Sequence, residues 1–355
     1  MTESASRFTQ AEFPGSSPAP CEVGLADPDA AKVAALMAQA DLQGSDGHGI
    51  FRLPQYIRRI RAGGINVTPT IRVAREKAAM ALLDGDNAIG HLVMSRAAEM
   101  AMDKAGREGV AWVGAFHSNH AGPASLYAGM PAERNMIGLY VAIGNANHLP
   151  PWGGTEMLLS TNPIAIAVPS ASGVPVVLDM ATTVAAYGKV KTKAQRGEMM
   201  PEGWMIDRQG NPLTDPTRAN EGLLLPIGGA KGYGLALMFG LMAGTLNGAA
   251  FGRDVVDFNA DNRTTTNTGH FVVAVDIDAF CDVGAFLAQV DRVREEIKSS
   301  QLLPGFDEVR LPGEQTARTR AERTADGIPL HPELMASLDR LAADLRIEPL
   351  GAGSA

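Results

Sequence analysis

Three residues near the N-terminus have types and a spacing that suit proton transfer to a carboxylic acid. His48 lies between two glycines in a predicted turn, and histidine is the side chain best suited to exchange a proton near neutral pH. Arg52 and Tyr56 follow at intervals of four residues, a spacing that puts all three on one helix face. A guanidinium can hold a carboxylate with two hydrogen bonds, and a 2-oxo acid carries a carboxylate next to a carbonyl. The spacing therefore favours a site for a small 2-oxo acid, in which Tyr56 either donates to the same anion or only packs.

A second pair of histidines, His117 and His120, follows a predicted strand. The H-x-x-H spacing could form half of a zinc site, but no H-E-x-x-H motif, cysteine or third histidine supplies the other ligands. We therefore expect no metal here. Loops at strand ends often carry catalytic groups, so His120 is expected to line the pocket. The remaining histidines are isolated and are expected to pack or to face solvent: His91, His148, His270 and His331.

Polar and glycine-rich segments next to predicted strands and helices could hold an anion. Thr161-Asn162-Pro163 lies before one strand, and Asp179 to Thr183 follows another. A run of glycines around Lys231 precedes an apolar helix, whose first N–H groups could bind a pyrophosphate together with the lysine. The G-x-G-x-x-G and P-loop signatures do not occur after these strands, so any nucleotide would be bound in another way.

The helices and strands that must position these groups predict a mixed α/β fold. A first helix is predicted with Asp27 as its cap and Gly44 as its stop, and a second helix over 50–61. Further helices are predicted over 88–106, 127–133, 232–247, 280–299 and 333–345. Strands are predicted between 69 and 84 and over 110–113, 137–143, 164–168, 174–178 and 271–276, most of them buried.

Composition excludes several classes of protein. The 355 residues exceed the roughly 250–300 at which one core stops growing, so more than one subdomain is expected. The net charge of −8, without a basic block, argues against nucleic acid. The two cysteines lack the spacing of a zinc or redox site and fit a reducing, cytoplasmic compartment. Residues 1–20 lack the features of a secretory signal, and 232–246 is too short for a membrane span and reads as a buried helix.

Seven ordered motifs between about Ala30 and Leu345 resemble the malate/L-lactate dehydrogenase family of type 2. This family includes ureidoglycolate and sulfolactate dehydrogenases, diketogulonate reductase and Δ1-piperideine-2-carboxylate reductase. The motifs are Ala40-Asp-Leu-Gln-Gly-Ser-Asp-Gly-His-Gly49, Ser118-Asn-His-Ala-Gly122, Thr161-Asn-Pro163, Leu178-Asp-Met-Ala-Thr-Thr183, Pro201-Glu-Gly-Trp204, Gly229-Ala-Lys-Gly-Tyr-Gly234 and Leu311-Pro-Gly-Glu314.

The resemblance implies an NAD- or NADP-dependent oxidoreductase with a non-Rossmann nicotinamide-binding sheet, usually a homodimer. It implies acid/base roles for His48 and His120 and substrate contacts for Arg52 and Tyr56. The cofactor contacts that it implies are Thr161, Asn162, Asp179, Met180, Ala181, Thr182, Thr183, Lys231, Gly313 and Glu314. Gly47 and Gly144 depart from the family pattern, in which a hydroxyl residue is usual at both positions.

Together with the predicted elements, the resemblance predicts four segments of the chain: a disordered arm, two helical segments and a sheet domain. The arm covers 1–20, and a helical segment with the substrate-facing residues covers 21–75. The cofactor-binding sheet domain covers 76–290, with a helical insertion near 186–264, and a C-terminal helical segment over 291–355 is expected to pack on the N-terminal one.

The leading functional hypothesis is hydride transfer between NAD(P) and the α-carbon of a small 2-hydroxy or 2-oxo acid. Reduction of cyclic or N-alkyl imines of 2-oxo acids is the alternative within the enzymes. Two other classes remain open, a binding protein without catalysis and a metal-dependent hydrolase that uses His117 and His120. The partner is expected to be a small acid or imino acid, with no nucleic acid and no membrane.

Overall fold

A computed structural model describes residues 6–9 and 19–350 of the chain. The helices are α1 (Ala19–Glu22), α2 (Asp27–Leu42), α3 (Leu53–Ala62), α4 (Gly90–Glu108), α5 (Ser125–Ala132), α6 (Tyr187–Arg196), α7 (Ala230–Ala243), α8 (Val283–Lys298), α9 (Glu314–Asp326) and α10 (Pro332–Leu345). The strands are β1 (Ser6–Phe8), β2 (Arg72–Lys77), β3 (Met80–Asp84), β4 (Val110–Ser118), β5 (Met136–Ala142), β6 (Asn147–Leu149), β7 (Leu159–Ser160), β8 (Ile164–Val168), β9 (Val176–Met180), β10 (Met205–Ile206), β11 (Leu223–Leu224), β12 (Thr268–Asp276) and β13 (Ile328–Leu330).

The largest sheet has seven strands in the order β2-β3-β4-β12-β5-β8-β9. Strands β3 and β4 run parallel, and the other neighbouring pairs in this sheet are antiparallel. The central strand β12 comes from a distant part of the sequence and separates β4 from β5. This arrangement confirms the predicted mixed α/β class.

Helices cover both faces of this sheet, as the alternation of side chains along β12 shows. Val272 and Ala274 belong to the core under α4 and α5, whereas Phe271 and Val273 pack on the opposite face with Ala243 of α7. Successive side chains of a strand point to opposite faces, so a strand buried on both sides is apolar throughout. This explains why β4, β5 and β12 appear in the sequence as continuous apolar runs.

A second core joins the N-terminal and C-terminal helices. It contains Met37 of α2 and Tyr56 and Ile57 of α3 together with Leu338 of α10 and Ile328 of β13. Strand β1 pairs with β13 in antiparallel fashion, and helix α1 begins at Ala19. Residues 6–8 and 19–20 of the expected arm thus belong to secondary structure, and 1–5 and 10–18 lie outside the described residues. The division into segments otherwise stays a prediction.

Several predicted elements differ from the structure in detail. Ala26, not Asp27, is the N-cap of α2, while Gly44 has the positive φ expected of a helix stop. Strand β9 lies at the sheet edge and is half exposed, contrary to the expected buried strand. Helix α7 also exposes part of its apolar surface, with Met238 57% accessible. Among the described residues, no helix has both the length and the apolar character needed to cross a membrane.

Helix α3 begins three residues later than predicted. Residues Asp46–His48 and Ile50–Arg52 form two short 3₁₀ turns, and the α-helix starts at Leu53. The reason is Pro54, which has no N–H to donate to the carbonyl of Ile50 and so cannot sit inside a helix that starts there. His48 and Arg52 are consequently presented by turns, and only Tyr56 lies on the helix.

Candidate active site

His48, His120 and Tyr56 form a continuous chain of hydrogen-bonding groups. The Nδ1 atom of His48 lies 3.2 Å from Nε2 of His120, and the two rings stack with centroids 5.3 Å apart. On its other side, Nδ1 of His120 lies 2.5 Å from the hydroxyl oxygen of Tyr56. His120 and Tyr56 are buried, whereas His48 is half exposed. Hydrogen bonds thus link three of the four residues that were expected to contact the substrate or act as acid and base.

The hydrogen-bond partners assign the direction of these contacts. The backbone N–H of Gly122 points at Nδ1 of His120, 3.4 Å away, which makes this nitrogen an acceptor in the neutral ring. Burial raises the pKa of Tyr56 well above its usual range, so its hydroxyl is protonated and donates to the same nitrogen. The Nε2–H of His120 then donates to Nδ1 of His48. This tautomer places a proton on Nε2 of His48.

The desolvated, positively charged surroundings keep both histidines neutral. Desolvation, and then the positive charge of Arg52, lower the pKa of His48 to about 4. The pKa of His120 falls well below its usual value for the same two reasons. A neutral imidazole can accept one proton and donate another, which suits a site in which a proton must move in either direction.

The loop after β4 is held rigidly, which fixes His120. The side-chain amide of the fully buried Asn119 donates to the carbonyl oxygens of Asn87 and Ala88, at 3.1 and 3.0 Å. His270 donates through Nε2 to the carbonyl oxygen of Asn119 at 3.2 Å, and Tyr140 donates to Nδ1 of His270 at 2.7 Å. His120 is therefore anchored through its neighbour to the two central strands β5 and β12.

His48 depends on a buried carboxyl group. The side chain of Asp41 accepts the backbone N–H of Ile50 at 2.7 Å, and a Cβ at Gly49 would overlap this carboxyl. Arg323 of α9 contacts the carbonyl oxygen of Asp41 and the carboxylate of Asp46. Desolvation raises the pKa of Asp41 to about 8, although the Ile50 N–H lowers it. The turn that carries His48 thus packs on a carboxyl group that is neutral at neutral pH.

Asp41→Asn is expected to stabilise the protein at pH 8 but not at pH 4. The pKa of Asp41 is raised on folding from 3.8 to about 8, so its stabilising contribution is complete below pH 4 and is lost as the pH rises toward 8. Asparagine keeps an acceptor for Ile50 and cannot ionise. Urea unfolding should give a gain of at least about 1 kcal/mol at pH 8. The control is Asp339→Asn, on the exposed side of α10, which should change stability little at either pH. An equal effect of Asp41→Asn at pH 4 and pH 8 would contradict the raised pKa of Asp41.

Arg52 lies beside the histidines with only part of its guanidinium occupied. Its Nε donates to the carbonyl oxygen of Gly47 at 2.8 Å, and Nη1 donates to Oδ1 of Asn259 at 2.9 Å. Within the described residues, Nη2 has no hydrogen bond or ion pair. The guanidinium therefore keeps donors for an anion.

Two of the predicted cofactor segments meet at the end of β9. The N–H and hydroxyl of Thr182 both donate to the carbonyl oxygen of Thr161, at 2.9 Å each, and the carbonyl of Thr182 accepts from Ile227. Asn162 is fully buried and donates to the carbonyl of Ala236 in α7. Thr183 lies next, bridged to Pro226. These contacts connect residues 161–162 and 182–183 with the loop that leads to Lys231.

Asp179 lies in the edge strand β9, and Gly313 packs against the same strand. Asp179 and Met180 belong to β9 itself and do not follow it as predicted, and Ala181 comes directly after. Asp179 accepts the N–H of Ser125 at the start of α5, 2.8 Å away; desolvation raises its pKa, although solvent still reaches the side chain. Gly313 has a φ of +85°, and a Cβ there would lie 2.9 Å from the carbonyl oxygen of Val177, so this close approach requires glycine.

Lys231 and Glu314 have different surroundings. Lys231 is exposed in the first turn of α7, which no side chain caps, and its ammonium has no partner within the described part of the chain. Glu314 begins α9 and accepts from Lys298 at 2.7 Å. That ion pair occupies the carboxylate of Glu314, whereas Lys231 is free to bind an anion.

His117 is not part of this site. Its ring is exposed and pairs with Asp84 at 3.0 Å, away from the chain of His120, His48 and Tyr56. Among the residues that the structure describes, no cluster of three or more His, Cys, Asp or Glu side chains could hold a metal ion. The pair His117 and His120 therefore provides no basis for the hydrolase hypothesis.

Sequence reasoning missed three residues that line the histidine cluster. His91 is fully buried and packs edge-on against Tyr56, with ring centroids 5.7 Å apart, and Phe258 packs against both Tyr56 and His120 at 5.6 Å. Asn259 contacts Arg52, as described above. Each lies far from the histidines in sequence, so no local pattern pointed to them.

The two departures from the family pattern have different steric surroundings. A Cβ at Gly47 would meet no atom within 4 Å, whereas a Cβ at Gly144 would overlap the hydroxyl of Ser160. The Cβ of a serine at position 47 would therefore lie in open space. At position 144 the space is already taken by a serine hydroxyl from the neighbouring segment.

The sequence profile of the malate/L-lactate dehydrogenase family matches residues 21–339, and the chain belongs to this family. It is 38% identical over 338 residues to a malate dehydrogenase of Pyrococcus horikoshii, covering 93% of this chain and 92% of the relative. It is 39% identical over 315 residues to an L-sulfolactate dehydrogenase of Methanothermobacter thermautotrophicus, covering 89% and 90%. The chain is therefore an oxidoreductase that acts on hydroxy acids, which confirms the enzyme class predicted from the sequence.

Solved structures give the same result for the fold. The malate dehydrogenase of Pyrococcus horikoshii OT3 superimposes with a TM-score of 0.90 at 34% identity, covering 98% of both chains. A Δ1-piperideine-2-carboxylate reductase of Pseudomonas syringae gives a TM-score of 0.83 at 28% identity, covering 95% of this chain and all of the other.

A further relative in sequence is a ureidoglycolate dehydrogenase (NAD(+)) of Escherichia coli O157:H7. It is 33% identical over 308 residues, which cover 87% of this chain and 87% of the relative.

Proposed function

We propose that the protein transfers a hydride between a nicotinamide nucleotide and the α-carbon of a small 2-oxo or 2-hydroxy acid. The observation that carries this proposal is the chain from Tyr56 through His120 to His48, which ends beside the partly free guanidinium of Arg52. Such a site can hold a carboxylate and exchange a proton with the adjacent oxygen. A bound nicotinamide would supply or accept the hydride.

In this proposal His48 exchanges the proton with the substrate oxygen. During reduction the carbonyl carbon gains a hydride and its oxygen gains the proton from Nε2 of His48. His48 takes up this proton from solvent beforehand, as an imidazolium, and returns to the neutral form when it donates, so the buried Tyr56 hydroxyl keeps its own proton. During oxidation Nε2 of His48 accepts the hydroxyl proton as the hydride leaves the carbon, which requires the other neutral tautomer of His48, with its proton on Nδ1. Arg52 holds the carboxylate and so sets the distance between the carbonyl and the ring of His48.

The segments around β9 are proposed to hold the nucleotide. Thr161, Asn162 and the stretch from Asp179 to Thr183 form one connected wall, and Gly313 and Glu314 border the same strand. Lys231 supports this placement because its ammonium is free and lies at an uncapped helix start, a position that suits phosphate. Whether the nucleotide is NAD or NADP is left to the assay below.

Lys231→Ala is expected to weaken binding of the nicotinamide nucleotide about 10-fold, or about 1.4 kcal/mol. The substitution removes a cation from a helix start that would face the phosphates. Fluorescence transfer from protein to reduced nicotinamide measures the dissociation constant. Lys77→Ala, in the exposed strand β2, is the matched control. If Lys231→Ala left the dissociation constant unchanged, the phosphates would be bound elsewhere.

Imine reduction is the second candidate, and the structural similarity to a Δ1-piperideine-2-carboxylate reductase favours it. A cyclic imine can arrive with its nitrogen already protonated, so His48 would be less important. Imine activity that survives loss of His48, together with keto-acid activity that does not, would identify this reaction.

The test is to follow the absorbance of reduced nicotinamide with a panel of substrates. Oxaloacetate, 3-sulfopyruvate, pyruvate and Δ1-piperideine-2-carboxylate should each be tested with NADH and with NADPH, without added metal. Oxidation of the reduced nicotinamide by at least one of the 2-oxo acids supports the proposal. Turnover of the imine alone would favour the second candidate, and no turnover of any substrate would contradict both.

We also propose that the protein acts as a homodimer. The support is an apolar stripe on α7 and just beyond it, formed by Leu235, Met238, Leu241 and Leu246, each at least 37% exposed. A contiguous exposed apolar surface of this kind often marks an interface. Light scattering on the native chain measures its mass in solution. The cytoplasmic location stays a prediction.

A further inference from the structure

Asn259 lies on the loop before β12 and makes the side-chain contact that orients Arg52. Its Oδ1 atom accepts from Nη1 of Arg52 at 2.9 Å. We propose that Asn259 is a positioning residue for the substrate carboxylate and acts through Arg52. This inference rests on the proposed function, in which Arg52 binds that carboxylate.

The hydrogen bonds of Arg52 determine which part of its guanidinium can bind a carboxylate. Nε is occupied by the carbonyl of Gly47, 2.8 Å away, so the side edge of the guanidinium, formed by Nε and Nη2, is no longer available for two parallel hydrogen bonds. The end formed by Nη1 and Nη2 still has both nitrogens available, because Nη1 carries two hydrogens and Asn259 takes only one. Gly47 and Asn259 therefore hold the guanidinium plane from two sides and leave that end for the substrate.

The loop itself is fixed, so Asn259 is held in place before a substrate arrives. The N–H of Asn259 donates to the carboxylate of Asp257 at 2.8 Å. At the neighbouring residue, the N–H of Phe258 donates to the carbonyl of Asn145, and its carbonyl accepts from Gln55 of α3 at 2.6 Å. Backbone contacts on both sides of the peptide thus define where the amide of Asn259 lies.

A buried arginine fixes the rest of the loop. Arg59 is fully buried, and it donates to the carbonyl oxygens of Asp261 and Thr264. Its guanidinium also lies over the ring of Phe258, 4.9 Å from the centroid. Phe258 in turn packs on His120. One loop therefore places the amide that orients Arg52 and the ring that packs against the histidines, which relates the position of the carboxylate to that of the proton donor.

The first test compares Asn259→Ala, Asn259→Asp and Asn262→Ala. Asn262 is the matched control because it lies on the same loop and accepts from Gln55 at 3.0 Å, without touching Arg52. Asn259→Ala should raise KM for the 2-oxo acid about 10-fold and change kcat less than about 3-fold, since a misoriented guanidinium weakens binding of the carboxylate. Asn259→Asp should raise KM further, because its carboxylate competes with the substrate for Arg52. Asn262→Ala should leave KM unchanged.

A double-mutant cycle separates positioning from a general structural effect. If Asn259 acts through Arg52, Asn259→Ala should raise KM in the wild-type background and have no additional effect in an Arg52→Ala background. Equal effects in both backgrounds would overturn the proposal. So would a wild-type KM for Asn259→Ala, or a loss of kcat and cofactor affinity together with KM.

Binding of oxamate distinguishes failure of this inference from failure of the proposed function. Calorimetry on the complex with reduced nicotinamide measures oxamate affinity without turnover. If the wild type reduces a 2-oxo acid but Asn259→Ala binds oxamate normally, the inference is wrong and the function stands. If no 2-oxo acid is reduced, the proposed function fails. In that case, weaker oxamate binding by Asn259→Ala but not by Asn262→Ala still supports the role of Asn259 in orienting Arg52. Equal oxamate affinity of the two variants overturns that role.

Discussion

His48→Ala is expected to lower kcat for a 2-oxo acid by roughly 10²–10⁴-fold, the usual contribution of a positioned proton donor. His48 is the half-exposed end of the row of hydrogen bonds from Tyr56 through His120, and its Nε2 is the nitrogen left to face a substrate. Because the substitution leaves the segments around β9 intact, the dissociation constant of the cofactor should change little. Steady-state kinetics and a fluorescence titration of the cofactor measure the two quantities.

His120 and His117 provide the comparison for this prediction. His120→Ala should lower kcat as well and also disturb the loop that leads to α5, whose first N–H binds Asp179 of the proposed nucleotide site. His117→Ala should change neither quantity, because its ring is exposed and pairs with Asp84. If His48→Ala kept its kcat while His120→Ala lost it with cofactor binding intact, the roles of the two histidines would be reversed.

Arg52→Lys is expected to lower kcat/KM by at least about 10-fold, or about 1.4 kcal/mol of transition-state binding, with little change in stability. Lysine keeps the positive charge, but it cannot bind Gly47, Asn259 and a carboxylate from one rigid plane. The substrate would then be held in more than one orientation relative to His48. Kinetics with a 2-oxo acid and thermal unfolding measure the two effects.

Arg58→Lys is the matched control for Arg52→Lys. Arg58 is exposed on the adjacent helix α3 and donates to Gln55, away from the guanidinium of Arg52. Its substitution should leave kcat/KM within about 3-fold of the wild type, below the ~10-fold loss expected for a substrate contact. Near-normal kinetics for Arg52→Lys would mean that Arg52 does not hold the substrate.

The sequence by itself determined the types of residue in the site and most of the elements that carry them. His48, Arg52, Tyr56 and His120 were predicted as site residues from local spacing, from their place at the ends of predicted elements and from the family resemblance. The strands β4, β5 and β12 were recognisable because both faces of each are largely covered, so their apolar residues are continuous. These features are local, and a local sequence pattern is sufficient to predict them.

Two helices show where such patterns fail. Helix α9 has no buried residue, and its polar sequence gives no apolar stripe; ion pairs such as those of Arg323 with Asp46 and Arg318 with Glu308 connect it to the rest of the chain. Helix α7 was expected to be buried because it is apolar all round, yet it exposes Met238. Apolar periodicity predicts helices that are buried in a core, so it does not predict a helix such as α9 that is held by ion pairs. It also does not show which part of an apolar helix such as α7 stays exposed to solvent.

Only the tertiary structure decided which distant residues meet. Strand β12 pairs antiparallel with β4 on one side and with β5 on the other. This pairing brings the loop before β12 over the histidines. Phe258 and Asn259 reach the site in this way, about 200 residues along the chain from His48 and Arg52. Their positions follow from hydrogen bonds that the side chains of Gln55 and the buried Arg59, both in α3, donate to carbonyl oxygens of this loop, and such long-range contacts leave no periodic trace in the sequence.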